Sequence, residues 1–319
     1  MTAKYRDQLP QLSGDFFITD GGIETTLIYR QGRTLPSFAA FDLLKTSDGQ
    51  AALQIYFSSY AALAKQYKNG LILESATWRA NPDWAAKLGY SDADLDKANR
   101  AAITLLQGIR AEYETPDTPL VISGCVGPRG DGYQPDQFMT AEDAEEYHQT
   151  QIRTFAESDV DLISAITMNY VEEAIGIVWA AGTARVPAVI SFTLETNGKL
   201  PTGQTLKEAI TEVDEATDNA VAYYMINCAH PTHLASSVNP SEPWANRIRG
   251  IRVNASHKSH AELNQATALD EGNPAELAQQ CIDLKNRWPQ LNILGGCCGT
   301  DERHIEEICK ARLALEVHG

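Results

Sequence analysis

Eight short apolar runs recur along this chain, and stretches with helical spacing lie between them. The runs cover 16–22, 70–78, 120–127, 161–168, 188–195, 222–229, 248–255 and 291–296. Most are continuously apolar, as in LILES, LVISG, AVISF and LNILGG. A strand that is apolar on both sides is covered on both faces, which is the condition of a parallel sheet. Helical spacing marks 51–68, 95–113, 141–158, 171–181, 205–220 and 274–287. Turn or cap chemistry precedes these stretches, as in Thr140-Ala-Glu-Asp143 and Asn273-Pro274.

Strand and helix alternating eight times predict an α/β fold of the (β/α)8, or TIM, barrel type. A doubly wound dinucleotide-binding sheet is the alternative. It is weakened because no strand is followed by G-x-G-x-x-G. The 319 residues suit one barrel with modest insertions, and no linker or low-complexity tract divides them. A single domain over 1–319 is therefore expected. The first two runs lie far apart, so about 23–69 should carry extra structure before the second strand.

The formal charge of −16 repels nucleic acid and anionic membrane surfaces, so neither is an expected partner. No apolar run approaches the ~20 residues needed to cross a bilayer. The opening MTAKYRDQLPQLSGD lacks the basic-then-apolar build of a secretory signal. A cytoplasmic setting follows, where thiols stay reduced. The six cysteines then point to metal binding, catalysis or packing before disulfides.

In a barrel, chemistry gathers at the C-terminal ends of the strands. Here those ends carry Asp20-Gly-Gly22, Glu74 through Arg79, Gly124-Cys-Val-Gly127, Asn227-Cys228, Asn254-Ala-Ser256 and Gly295-Gly-Cys-Cys-Gly299. Only one strand separates the sixth from the eighth, which allows Cys228 to face Cys297 and Cys298. Zinc favours thiolate ligands in a tetrahedron, and a catalytic site keeps one position open. Three thiolates offset the metal's charge, which suits such a centre poorly for acidifying water. It suits holding an incoming thiol as a nucleophilic thiolate for attack on an activated methyl group. Adjacent cysteines in a glycine-rich segment need a sharply turning backbone, which Gly295, Gly296 and Gly299 permit.

Other readings compete. Cys125, Cys281 and Cys309 are expected to be packing residues. His230 and His233 follow Cys228 closely and offer an alternative metal set, although Pro231-Thr232 reads as a helix start and would make them caps or loop residues. His257 and His260 are expected in a polar loop. The segment GCVGPRGDG at 124–132 lacks the Lys-Ser/Thr of a phosphate loop and reads as a plain strand-to-helix turn. Asn254-Ala-Ser256 fits a glycosylation sequon that a cytosolic protein would not use.

The pattern resembles the homocysteine S-methyltransferase family over nearly the whole chain. The resemblance rests on Asp20-Gly-Gly, Gly124-Cys-Val-Gly-Pro128, SFTLETNGKLPTGQTLKEAI, Asn227-Cys228 followed by Pro231, and GGCCGT at 295–300. It implies a zinc (β/α)8 barrel with Cys228, Cys297 and Cys298 as the metal ligands. Asp20 matches the acidic residue that helps hold the amino-acid substrate. Thr77 and Trp78 match the threonine and aromatic after the second strand, and an aromatic face there suits a sulfonium or ammonium donor. The chain departs from the family at Ile166, where homocysteine enzymes usually carry a glutamate, and at Glu24-Thr25-Thr26, where an extra carboxylate stands.

The expected activity is zinc-dependent transfer of a methyl group from a cationic donor, such as S-methylmethionine or betaine, to a thiol. Homocysteine, giving methionine, is the leading acceptor, and Ile166 keeps another thiol open. Trp78 and Glu24 are candidates for the donor cation, Asp20 and Thr25 for the acceptor's polar end, and Asn227 for a substrate contact. A zinc hydrolase with Asp20 or Glu74 as base, or a non-catalytic zinc-binding barrel, are the alternatives. The sequence leaves the donor and the oligomeric state open.

Overall fold

The structure is a computed structural model that describes residues 3–135, 137–266 and 268–318. Eight parallel strands close into one barrel in sequence order. They are β1 (Phe17–Thr19), β2 (Gly70–Glu74), β3 (Leu120–Val126), β4 (Leu162–Met168), β5 (Ala188–Thr193), β6 (Val221–Ala229), β7 (Ile248–Val253) and β8 (Ile293–Gly296). Pairing of Phe17 with Ile293 and of Ile18 with Leu294 closes the ring. Each strand lies inside or within one residue of an expected run, and the doubly wound alternative falls away.

The outer layer comprises α1 (Ser47–Tyr67), α2 (Asp92–Tyr113), α3 (Ala141–Ala156), α4 (Val171–Ala184), α5 (Leu206–Ala216), α6 (Pro231–Ser237), α7 (Pro274–Arg287) and α8 (Glu302–His318). The expected caps are in place: Thr140 accepts from the Asp143 amide, and Asn273 from Ala275 and Glu276. The extra structure before β2 is a short turn at Ile23–Thr25, a wider one at Thr26–Arg30, and two 3-10 turns, Pro36–Phe38 and Ala40–Lys45.

Alternation along the strands sorts the side chains into two environments. One apolar cluster fills the space between sheet and helices, from Ile18 and Leu71 to Leu294 and Ile308. A smaller one fills the barrel interior with Phe17, Ile72, Val121, Leu162, Val189, Tyr223, Met225 and Ile293. The N-terminal segment plugs the lower end: Leu9 joins the interior cluster and Gln11 donates to the Tyr223 hydroxyl at 3.2 Å. Two residues further along the strands the same inward phase carries Thr19, Glu74, Ser123, Ser164, Ser191, Asn227 and Arg252. All are buried. The C-terminal end of the barrel is therefore polar inside, and the candidate site rests on that layer.

Candidate metal centre and substrate cavity

The Sγ atoms of Cys228, Cys297 and Cys298 lie within 4.8 Å of one another. No other group of three or more candidate ligands assembles among the described residues. His230 instead caps α6, accepting from the Thr232 amide, and its ring lies 5.9 Å from that of His233. The competing cysteine–histidine set does not form.

Cys228 reaches the mouth through a local irregularity. Strict alternation would send it outward, since Asn227 points inward. The β6–β7 register shifts between Asn227 and Ala229, and Cys228 adopts a left-handed φ of 54°. Such a bulge re-aims the extra side chain. Asn227 Nδ2 consequently donates to Cys228 Sγ at 3.1 Å. A matching shift between Ile166 and Met168 puts Thr167 at φ 67°, unusual for a β-branched residue. Asn227 braces this one as well: its Oδ1 accepts from the Thr167 amide at 3.0 Å and from Ser191 Oγ at 2.7 Å, and its Nδ2 donates to Thr167 Oγ1 at 2.9 Å.

Cys297 and Cys298 sit in the turn after β8. The Cys297 amide donates to Val253 O at 2.7 Å, and Cys298 O accepts from the Ala255 amide at 3.0 Å. Gly299 closes the turn at φ 81°, where a side chain would be strained. A Cβ on Gly22 would stand 2.5 Å from Cys297 O, so the first loop presses directly on the cysteine turn. Thr25 joins the two, its Oγ1 accepting from the Gly299 amide at 3.2 Å.

The thiols share protons. Burial alone would push Cys228 up, but hydrogen bonds from Cys297, Cys298, Tyr133 and Asn227 outweigh it and hold this thiol well below its ordinary range. Cys297 is pushed up to about 12, chiefly by its hydrogen bond to Cys228. Tyr133 donates to Cys228 Sγ at 3.1 Å and lies 3.9 Å from Cys298 Sγ. Its ring stacks on His260, with centroids 4.1 Å apart. A converged, soft donor set with one thiolate already favoured fits a thiophilic ion such as zinc.

A cavity of about 310 Å³ opens over the cluster. Asp20, Glu24, Thr25 and Trp78 line it with the three cysteines. Asp20 is already engaged: Oδ1 accepts from Arg252 Nη2 at 2.6 Å and Oδ2 from the Tyr56 hydroxyl at 2.9 Å. Glu24 is only partly covered, yet burial, aided by Cys297 and Asp20, pushes its carboxyl up to about 7. Trp78 donates to Ile166 O at 3.1 Å, and the Arg79 guanidinium lies 4.2 Å from its ring centroid. One indole face is therefore occupied by a cation of the protein itself. Thr77 is fully buried and donates to Cys125 O at 2.7 Å, which makes it a turn residue beneath the cavity. Asn227 likewise acts on Cys228 and Thr167 from below.

Cys281 and Cys309 are buried in helices as expected, whereas Cys125 lines the cavity. The 124–132 segment is a structured turn that accepts from Arg79 at Gly130 O, 3.0 Å away, and from Asn81 at Pro128 O, 3.1 Å away. Sequence reasoning did not single out Arg252 or Tyr133. A lone cation in the inward phase of IRGIRV signalled Arg252. Nothing local signalled Tyr133, which a long loop delivers.

Fold and site together define a class, the parallel barrels with a three-cysteine cluster at the C-terminal mouth. The family model for homocysteine S-methyltransferase matches residues 17–312, and the chain belongs to that family. A selenocysteine Se-methyltransferase of Brassica oleracea var. italica is 23% identical over 95% of this chain and 90% of its own. The crystal structure of the oxidised homocysteine methyltransferase MmuM of Escherichia coli superposes with a TM-score of 0.73 at 19% identity, covering 94% of this chain and 96% of that one. Its metallated form gives 0.71 at 19% identity, covering 93% and 96%. Methyl transfer to a thiol is the chemistry these family relationships support. No described helix is long and apolar enough to cross a membrane.

Proposed function

We propose that this protein transfers a methyl group from a cationic sulfonium or ammonium donor to a small thiol, using zinc held by Cys228, Cys297 and Cys298. The observation that carries the reading is the convergence of three Sγ atoms within 4.8 Å at the foot of the cavity. Zinc in this set would supply an open coordination position at which an acceptor thiol is held deprotonated and nucleophilic.

The rest belongs to the chain's own groups. Asn227 and Tyr133 orient Cys228, and the turn 297–299 orients its two partners. The acceptor sulfur attacks the donor methyl carbon in line, a new S–C bond forms, the donor's own S–C or N–C bond breaks with its electron pair passing to the donor heteroatom, and the donor departs as a neutral thioether or tertiary amine. Opposite charges cancel in that step, so a water-poor cavity favours it over the separated ions. Glu24 offers the donor a carboxylate at the mouth, whereas Arg79 stacked on Trp78 opposes cation binding on that indole face. Homocysteine, giving methionine, is the leading acceptor, and the absence of a carboxylate at Ile166 leaves room for another thiol. The all-sulfur donor set disfavours a hydrolase, which needs an acidified water.

The test is a screen of S-methylmethionine and betaine against homocysteine and other small thiols, with zinc supplied and then chelated. Methionine formation that stops on chelation is expected. Turnover and zinc content both surviving in Cys298→Ala would sink the assignment.

A further inference from the structure

We propose that Glu74 is the specificity-determining carboxylate that receives the ammonium group of the acceptor, so that the thiol this cavity selects is an aminothiol. The inference rests on the thiol-transfer reading above and deepens it.

Glu74 ends β2, points into the barrel and lines the cavity. It is only 5% exposed, yet neither carboxylate oxygen makes a close hydrogen bond among the described residues; the Ser123 and Ser164 hydroxyls, paired with each other at 2.8 Å, favour its ionised form only weakly beside the burial that opposes it. A buried carboxylate without partners is costly, and a folded chain retains one where something else completes it. The other acid at this depth cannot serve, because Arg252 and Tyr56 already occupy both oxygens of Asp20. Ile166, which also lines the cavity, carries no charge.

The charges point to the same ligand. Asp20 and Arg252 cancel as a pair, and Glu74 then stands as the uncompensated acid of the polar layer. Burial, the larger effect, pushes its carboxyl above the ordinary range, and Arg252 acts against it; a further positive group would favour the ionised form. A single positive group restores neutrality. A primary ammonium has three N–H donors, enough to satisfy both orphaned oxygens at once. A quaternary ammonium or sulfonium has none and would leave them unsatisfied. The chemistry therefore assigns Glu74 to the acceptor's amine and not to the methyl donor.

Binding of thiols to the zinc-loaded protein, followed by calorimetry, tests this without requiring turnover. Homocysteine is compared with 4-mercaptobutanoate, which lacks only the amine. Wild type should bind homocysteine about tenfold or more tightly than the deaminated thiol. Glu74→Gln should erase that preference by weakening homocysteine while leaving 4-mercaptobutanoate unchanged, and KM should shift in the same split. Glu74→Asp keeps the charge at shorter reach and should retain part of the preference, which carries the comparison if the Gln variant does not fold. Equal weakening of both thiols, or an intact preference in Glu74→Gln, overturns the proposal while leaving thiol transfer standing. Failure of both thiols to bind zinc-replete wild type overturns the two readings together.

Discussion

Arg252 at the end of β7 holds Asp20 at the end of β1, with Nη2 donating to Oδ1 at 2.6 Å inside the closed barrel. Its Nε also donates to Gly296 O at 3.1 Å, one residue before the paired cysteines. This one guanidinium therefore ties the first strand end to the cysteine turn and takes up the acid expected to hold substrate.

Breaking that pair from one side strands a buried charge. Arg252→Met should cost about 3–5 kcal/mol of unfolding free energy. The double change Asp20→Asn with Arg252→Met should recover much of the loss. Urea unfolding of the three variants measures both; a loss in Arg252→Met below 1 kcal/mol would show that the pair is solvated after all.

Asn227 is a brace, and its loss should register as such. Asn227→Ala removes the partner of the Thr167 amide, of Ser191 Oγ and of Cys228 Sγ. The expected cost is about 1–3 kcal/mol for the buried groups left unpaired. Zinc affinity should fall with it, read by competition with a chromophoric chelator. Unchanged stability and affinity would mean the two left-handed residues hold without it.

The contact of Gly22 with the cysteine turn makes it a remote handle on the thiol cluster. A methyl group there would meet Cys297 O at 2.5 Å. Gly22→Ala should destabilise by about 1–3 kcal/mol through overpacking and should lower zinc occupancy on elemental analysis. Full occupancy would show that the first loop yields without moving Cys297.

Glu24 predicts a pH dependence. Its carboxyl titrates at about 7 because of burial and the neighbouring Cys297 and Asp20. Below that pH it is neutral, and above it the cavity mouth gains a negative charge. KM for a cationic donor should therefore fall as pH rises through about 7, and Glu24→Gln should flatten the profile. Stability runs the other way. The folded state holds this proton more tightly than the unfolded chain, so the side chain's contribution declines as pH rises from about 4.5 to about 7. Glu24→Gln should accordingly gain stability over wild type at pH 8 relative to pH 5, as thermal unfolding at the two values would show.

Much of this molecule is written locally. The continuous apolar runs, their spacing and caps such as Thr140 and Asn273 determine strand, helix and hence the barrel, because burial on both faces and the first turn of a helix depend on near neighbours. The identities of Cys228, Cys297 and Cys298, each at a strand end, make a converging cluster of three thiols readable before any fold is known. What tertiary structure alone decided is where those side chains point and what they meet. Alternation would aim Cys228 outward; a bulge against β7 turns it in. Asp20 reads as a free acid until ring closure brings Arg252 beside it from 232 positions away. Glu74 reads as one carboxylate among many until the same closure buries it against the cavity with no close hydrogen bond. Register shifts and the pairing of inward charges arise only when eight strands are staggered into a ring, and no short window of sequence contains that stagger.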